Sequence, residues 1–210
     1  MREIKTLVLA ALILGLIAGP AAAARPFVTH YRFHGDFAEA GWLTLGDGSV
    51  TFSYVNAVKT RTDKELEVVQ NTVLIDIGGN FAGEIDTFVD VSSGFTFTID
   101  SGRLSGASMR GADLPATTCS YDADFNLIGC TDTTTIDASA TWTGQGPIAR
   151  GTFHNQYQSD GFKFTDHFQG TSRDATATGT VGSLTLITGD LDFADLGHSN
   201  YGAVDICIGC

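Results

Sequence analysis

The sequence predicts an all-β protein: a single antiparallel β-sandwich or barrel of about a dozen short strands, with a jelly roll among the candidate arrangements. Apolar and polar residues alternate repeatedly after residue 24, and no later segment keeps apolar residues at helical spacing for three turns. The acidic residues are 19 Asp and only 5 Glu, and Asp favours turns where Glu favours helices. With 25 Gly and 4 Pro, the composition indicates many short turns between strands.

The first 24 residues have the order of features that is typical of a secretory signal peptide. Arg2 and Lys5 are basic, residues 6–18 are continuously apolar, and residues 21–24 are small. The apolar run is shorter than the roughly 20 residues that a membrane-spanning helix needs. We therefore expect residues 1–24 to be removed. Residues 25–210 then form one domain without a membrane span, secreted to the periplasm or the extracellular medium.

The charge balance excludes one class of partner. The whole chain carries a net charge of -12, which becomes -13 once Arg2, Glu3 and Lys5 are removed with the signal peptide. A surface of this sign repels the phosphate groups of nucleic acids. We expect no nucleic-acid binding, while small molecules, carbohydrates and proteins stay open as ligands.

The strands follow one another along the whole mature chain. Asp47 and Gly48 lie between two alternating apolar runs and predict a two-residue hairpin turn. Residues 66–77 are the most apolar segment and predict a central strand. The other strand segments are residues 27–34, 95–99, 136–143 and 175–187.

The four cysteines predict two disulfides in an exported protein. Residues 119–130 form a hairpin pattern with its turn near Asp124, which places Cys119 opposite Cys130. Cys207 and Cys210 then close on each other at the end of the sequence. A redox motif, a prenylation signal and a zinc site are the competing interpretations of C-x-x-C. The redox motif needs a helix N-terminus, which this segment does not predict. Prenylation is cytosolic, and a single C-x-x-C in an oxidising compartment disfavours zinc.

The segment from residue 153 to residue 169 predicts a second hairpin, with its turn at Asp160 and Gly161. Counting outward from that turn pairs Tyr157 with Phe164 and Phe153 with Phe168 on one strand face, which we expect to be buried. The opposite face then brings His154 directly opposite His167, and cross-strand partners have Cβ atoms about 5 Å apart.

Histidines are the candidate transition-metal ligands. His30 and His34 lie on the polar face of the first strand, and they form one group with His154 and His167 if that strand neighbours the second hairpin. Such a group suits Zn²⁺ or Cu²⁺. The competing interpretation is that these histidines are solvated on a half-exposed sheet, and no cofactor is required by the sequence.

Two acidic clusters are candidate calcium sites. Residues 122–126 match the D-x-D-x-N start of a calcium loop but lack its later glycine and glutamate. The cluster near residue 190 is similar. The candidate ligands are Asp122, Asp124, Asn126, Asp190, Asp192 and Asp195, and a turn interpretation competes with each.

No familiar catalytic motif is present in the sequence. Trp42 and Trp142 each stand alone on a strand, so we expect core positions rather than a carbohydrate-stacking surface. None of the glutamates has a sequence neighbour that predicts a raised pKa.

The sequence favours a non-catalytic exported protein with a binding or structural role. A secreted hydrolase or lyase that uses His154 and His167 as acid–base or metal groups is one alternative. A calcium-stabilised extracellular module is the other. A pocket that holds both histidines and a carboxylate favours the enzyme, and a filled interior favours the binding protein.

Overall fold

The computed structural model describes residues 27–159, 162–189 and 192–208, which form eleven β-strands and no helix. The strands are β1 (Phe27–Gly46), β2 (Ser49–Lys59), β3 (Lys64–Ile75), β4 (Phe81–Val91), β5 (Phe95–Ile99), β6 (Gly106–Tyr121), β7 (Leu127–Gly144), β8 (Ala149–Ser159), β9 (Phe162–Val181), β10 (Leu184–Ile187) and β11 (Phe193–Ile208). The prediction of an all-β fold is confirmed. In this part of the chain no helix is long and apolar enough to cross a membrane.

The strands form one large antiparallel sheet whose pairings return to their starting point. The order runs β10-β9-β11-β1-β2-β3-β4-β6-β5, and β7 pairs with both β6 and β9. Residues 84–88 of β4 pair with residues 117–121 of β6, and residues 138–144 of β7 pair with residues 175–181 of β9. Eight strands therefore make a closed ring: β1, β2, β3, β4, β6, β7, β9 and β11.

The interior of the ring is filled by alternate residues of its strands. Successive side chains of a strand point to opposite faces, so every second residue enters the core. Much of this core is alanine, and two tryptophans supply its largest side chains. Core members from the ring strands include Ala38, Ala40, Trp42, Val55, Ala57, Leu66, Val68, Val89, Ala138, Ala140, Trp142, Ala177, Val181 and Leu196.

Both tryptophans are core residues, as predicted. Trp42 is 2% exposed and Trp142 is 1% exposed. The Nε1 atom of Trp142 donates a hydrogen bond of 2.8 Å to the backbone oxygen of Glu39 on β1. Because β7 and β1 are not neighbours in the sheet, this bond joins two walls of the ring through its interior.

The predicted turns mark where several strands begin and end. Asp47 and Gly48 make the β1–β2 hairpin, with Gly48 in the left-handed region at φ 71°. β5 has the predicted bounds, and β3 is central, because it pairs with both β2 and β4. The segment 175–187 is instead two strands, because Gly182 (φ 57°) turns the chain from β9 into β10.

The Cys119–Cys130 disulfide is present at the predicted position. The two residues face each other in the β6–β7 register, their Cα atoms are 4.1 Å apart and their sulfurs are bonded. The intervening turn contains Phe125 at φ 60°, next to the predicted turn position. The predicted Cys207–Cys210 bridge lies outside the described residues.

Removal of the Cys119–Cys130 bridge should destabilise the protein. Closing a loop of this length removes conformational entropy from the unfolded chain, which is worth about 2–3 kcal/mol. The double variant Cys119→Ser/Cys130→Ser should therefore unfold at lower urea concentration, as followed by tryptophan fluorescence. An unchanged midpoint at an unchanged slope would contradict this role.

Candidate functional site

The two histidines of the second hairpin face each other as predicted. β8 and β9 pair in the register counted from the sequence, with His154 opposite His167. Their ring centroids are 5.8 Å apart, and His154 is exposed while His167 is half-buried. The predicted turn residues, Asp160 and Gly161, lie outside the described residues.

The aromatic face of this hairpin is less buried than predicted. Phe168 is 8% exposed, and Phe164 is half-buried. Tyr157 on β8 is 50% exposed, so the expectation of a buried face is wrong at this position. β8 pairs only with β9 and is therefore an edge strand, so its outer side has no neighbouring strand.

The structure does not bring the histidines of β1 to this pair. β11 lies between β1 and β9, so two strand spacings, about 10 Å, separate the first strand from β9. In the register, His30 is opposite Asp205 of β11, while His167 is opposite Ala203. Within the described ranges, no group of three or more His, Cys, Asp or Glu side chains is arranged to hold a metal ion.

His34 instead lies beside His198, which sequence reasoning missed. The two ring centroids are 5.9 Å apart, with an interplanar angle of 70°. The Nδ1 atom of His198 is 2.8 Å from Asp36 Oδ1, and that of His34 is 2.7 Å from the backbone oxygen of Asn200. Only the pairing of β1 with β11 places these residues together, and no local sequence pattern indicates it.

The first candidate calcium loop is a turn that its own aspartate holds together. Asp122 Oδ1 accepts hydrogen bonds of 2.9 Å from the backbone N–H groups of Asp124 and Asn126. The bonds from the backbone and side chain of Asn126 lower the pKa of Asp122. Residues 76–80 repeat this design, with Asp76 Oδ1 accepting from the backbone N–H groups of residues 78 and 80.

The second acidic cluster divides between a loop and a strand. Asp192 accepts hydrogen bonds from the backbone N–H groups of Leu43 (2.8 Å) and Gly189 (2.9 Å), so it fastens its loop to β1. Asp195 lies on β11, opposite Glu39. Asp190 is outside the described residues. Both calcium sites stay predictions, and the bonds of Asp122 and Asp192 fit the turn interpretation.

A row of acidic residues crosses the outer face of the ring. Glu39 lies between core residues Ala38 and Ala40, so the alternation of the strand places its side chain on the face opposite the core. The same holds for its partners on the adjacent strands. The acidic row is Asp174, Asp195, Glu39, Asn56, Glu67 and Asp90, one residue from each of β9, β11, β1, β2, β3 and β4. Six strands span about 24 Å.

The centre of the acidic row concentrates negative charge. Tyr54 donates a hydrogen bond of 2.9 Å to Glu39 Oε2. Burial holds the pKa of Tyr54 well above its ordinary value, and the carboxylates of Glu39 and Glu67 raise it further. Desolvation among these neighbours also raises the pKa of Glu67, and the Asp90 carboxylate adds to that effect.

An aromatic row lies beside the acidic row on the same outer face. It consists of Phe193, Gly41, Tyr54, Val69 and Phe88, which follow one another across β11, β1, β2, β3 and β4. The ring of Phe193 covers Gly41, where a Cβ atom would lie 2.3 Å from the ring. Gly41 therefore lets an aromatic side chain lie flat over the strand, 6.2 Å from the ring of Tyr54.

A buried pair of carboxyl groups completes this face. Glu84 is 1% exposed and Asp86 is 3% exposed. The side-chain amide of Asn71 donates to Glu84 Oε1 and, at 2.7 Å, to Asp86 Oδ1. Burial raises the pKa of Glu84 to about 7, and the adjacent Asp86 contributes to the shift. No neighbour pattern in the sequence predicts this raised pKa, because its first cause is burial.

The signal for this carboxyl pair was partly visible in the sequence. Glu84 and Asp86 are two residues apart, so a strand places both on one face. Asn71 comes from β3, and Tyr121, which lies opposite Glu84 in the register, comes from β6. Only the pairing of these strands with β4 brings these residues together. The burial of Glu84 and Asp86 depends on residues from distant segments, so it cannot be predicted from the sequence of β4 alone.

Comparison with known proteins assigns no role to these groups. No protein-family model matches it, and neither a curated protein nor a solved structure does. The functional interpretation therefore depends on the chemistry of the described residues. Glu84 can take up or release a proton near pH 7, but burial keeps a substrate away from both carboxyls.

The buried carboxyl pair predicts a loss of stability as pH rises. The pKa of Glu84 is raised from 4.5 to about 7 in the folded protein. The folded state therefore binds this proton more tightly than the unfolded state, and the resulting stabilisation is complete below pH 4.5 and is lost as pH rises through about 7. The variant Glu84→Gln keeps the neutral form, so its free energy of unfolding should vary less over this range.

Urea unfolding at several pH values across this range measures the difference. Glu65→Gln is the matched control, because Glu65 is exposed on β3. Its pH profile should follow that of the unmodified protein. Parallel profiles for Glu84→Gln and the unmodified protein would show that the pair does not hold a proton in this range.

Proposed function

We propose that this chain is an exported, non-catalytic binding protein that holds a cationic polypeptide on the outer face of β9, β11 and β1–β4. The observation that carries the proposal is the pairing of the acidic row with the aromatic row on that face. Small molecules and carbohydrates are the other ligand classes that the sequence leaves open.

The filled interior supports a binding role over the hydrolase or lyase alternative. An enzyme that uses His154 and His167 would need a concave pocket that contains both imidazoles and a carboxylate. His154 is instead exposed on an edge strand, and Trp42 and Trp142 occupy the interior. Two of the groups with raised pKa values, Tyr54 and Glu84, lie on other strands, β2 and β4.

The ligand chemistry follows from the length and charge of the acidic row. Five carboxylates on six adjacent strands extend over about 24 Å, which exceeds the size of most small ligands. Lysine and arginine side chains place an apolar stem next to a cationic head. The stems can lie along the aromatic row and the heads can reach the acidic row, with cation–π contact to Tyr54 or Phe88.

Long-range electrostatics favour the same partner. The net charge of -13 expected for residues 25–210 attracts polycations and speeds their association at low salt. We infer that the closed ring of strands is a barrel, the second of the two predicted architectures. We also infer that removal of residues 1–24 during export delivers this domain to the periplasm or the medium.

Binding of a labelled oligolysine of about ten residues tests the proposal, because that length covers the row when extended. The protein is purified after export, and its intact mass reports whether it begins at Arg25. The triple variant Glu39→Gln/Glu67→Gln/Asp90→Asn should weaken binding at least about tenfold in fluorescence anisotropy. The control triple Asp47→Asn/Asp63→Asn/Asp124→Asn removes the same charge from exposed loops and should change affinity by no more than about twofold.

The comparison of the two triple variants separates a site from a general charge effect. Equal losses in both would mean that net charge alone attracts the peptide, and the proposed face would be wrong. Absence of binding to the unmodified protein at low salt would overturn the proposal altogether.

A further inference from the structure

His34 and His198 come together where the regular pairing of β1 with β11 is interrupted. His34 lies on β1 where the register with β11 shifts between Phe33 and Gly35. On its other side, β11 has a shift in its register with β9 between Ser199 and Tyr201. A β-bulge at this point redirects a side chain out of the regular alternation. The result is an edge-to-face contact of two imidazoles from adjacent strands, with centroids 5.9 Å apart.

Hydrogen bonds fix which nitrogen of each ring carries the proton. The Nδ1 atom of His198 faces the carboxylate of Asp36 at 2.8 Å, and that of His34 faces the backbone oxygen of Asn200 at 2.7 Å. Carboxylate and carbonyl oxygens only accept hydrogen bonds, so both Nδ1 atoms donate. In each neutral ring the Nε2 atom then carries the lone pair, which is the state that binds a metal.

The partners of these rings match the outer shell of known kinds of metal site. Histidine ligands commonly donate their second nitrogen to a carboxylate or a backbone carbonyl, which sets the ring orientation and raises its basicity. Asp36 is itself held in place, because Ser101 donates a 2.5 Å hydrogen bond to its second oxygen. Hydrogen bonds from Ser101 to Asp36 and from His198 to Asp36 therefore hold the His198 ring in place without a bound ion.

The spacing of the rings also suits one shared ion. A metal–nitrogen bond of about 2.0–2.1 Å places the metal about 3.2 Å from each ring centroid. Two imidazoles on one ion then have centroids roughly 4.5–6.4 Å apart, for nitrogen–metal–nitrogen angles of about 90–180°. The observed 5.9 Å lies in this range. His34 is exposed and the His198 side chain is 38% exposed, so the ion can reach both.

We propose that His34 and His198 bind one divalent transition-metal ion through their Nε2 atoms, with Asp36 and the Asn200 carbonyl as outer-shell partners. Cu²⁺ should bind more tightly than Zn²⁺, because imidazole sites follow that order of affinity. Water completes the coordination. The site shares no residue with the acidic row or the aromatic row. Of the four histidines predicted as ligands it uses only His34, and its second ligand is His198 of β11.

Titration of the exported protein with Cu²⁺ in non-reducing buffer tests this site by calorimetry and electron paramagnetic resonance. His34→Ala and His198→Ala should each weaken Cu²⁺ binding at least about tenfold, and the spectrum of the unmodified protein should show hyperfine coupling to two imidazole nitrogens. Asp36→Asn keeps both ligands and should weaken binding about 10–100-fold. The double variant His154→Ala/His167→Ala is the matched control and should bind Cu²⁺ normally.

Each outcome decides for or against the pair. Normal Cu²⁺ affinity in His34→Ala or in His198→Ala would overturn the proposal, as would loss of binding only in the His154/His167 control. Coupling to a single nitrogen would indicate an adventitious surface site. Melting curves of the apo variants show whether each is folded, and Asp36→Asn tests the outer shell without removing a ligand.

Discussion

Closure of the sheet into a ring is the constraint on which the rest of this structure depends. β6 and β7 connect β4 to β9, so every ring strand has one face toward a shared interior. Because strand residues alternate with a period of two, the residues that fill the core also determine which residues face outward. Ala38 and Ala40 enter the core, and Glu39 between them must face out.

The strand register that packs the core therefore also decides which residues lie on the outer face. A shift of one residue in the pairing of β1 would place Glu39 in the core and Ala38 outside, at the cost of burying a charge. The Trp142 hydrogen bond to the Glu39 backbone joins the two walls of the ring at this strand. The pairing register that packs the apolar core thus also sets which positions form the acidic row.

Local patterns in the sequence predict the hairpins, whereas the candidate sites depend on non-local pairing. The β8–β9 register could be counted outward from residues 160 and 161, and the Cys119–Cys130 bridge follows from a hairpin of twelve residues. No local sequence pattern predicts that β11 lies between β1 and β9, because β1 and β11 are at opposite ends of the described chain. That insertion separates His34 from His167 and places it beside His198.

Ring closure can be measured directly by amide hydrogen exchange. Residues 84–88 of β4 and 117–121 of β6 form the junction that joins the two halves of the ring. A closed ring predicts that the paired amides of this junction exchange as slowly as those of the β2–β3 pairing, because both lie within a continuous sheet. Rapid exchange on both β4 and β6 at the junction, with slow exchange in β2–β3, would show two free edges and contradict the closed architecture.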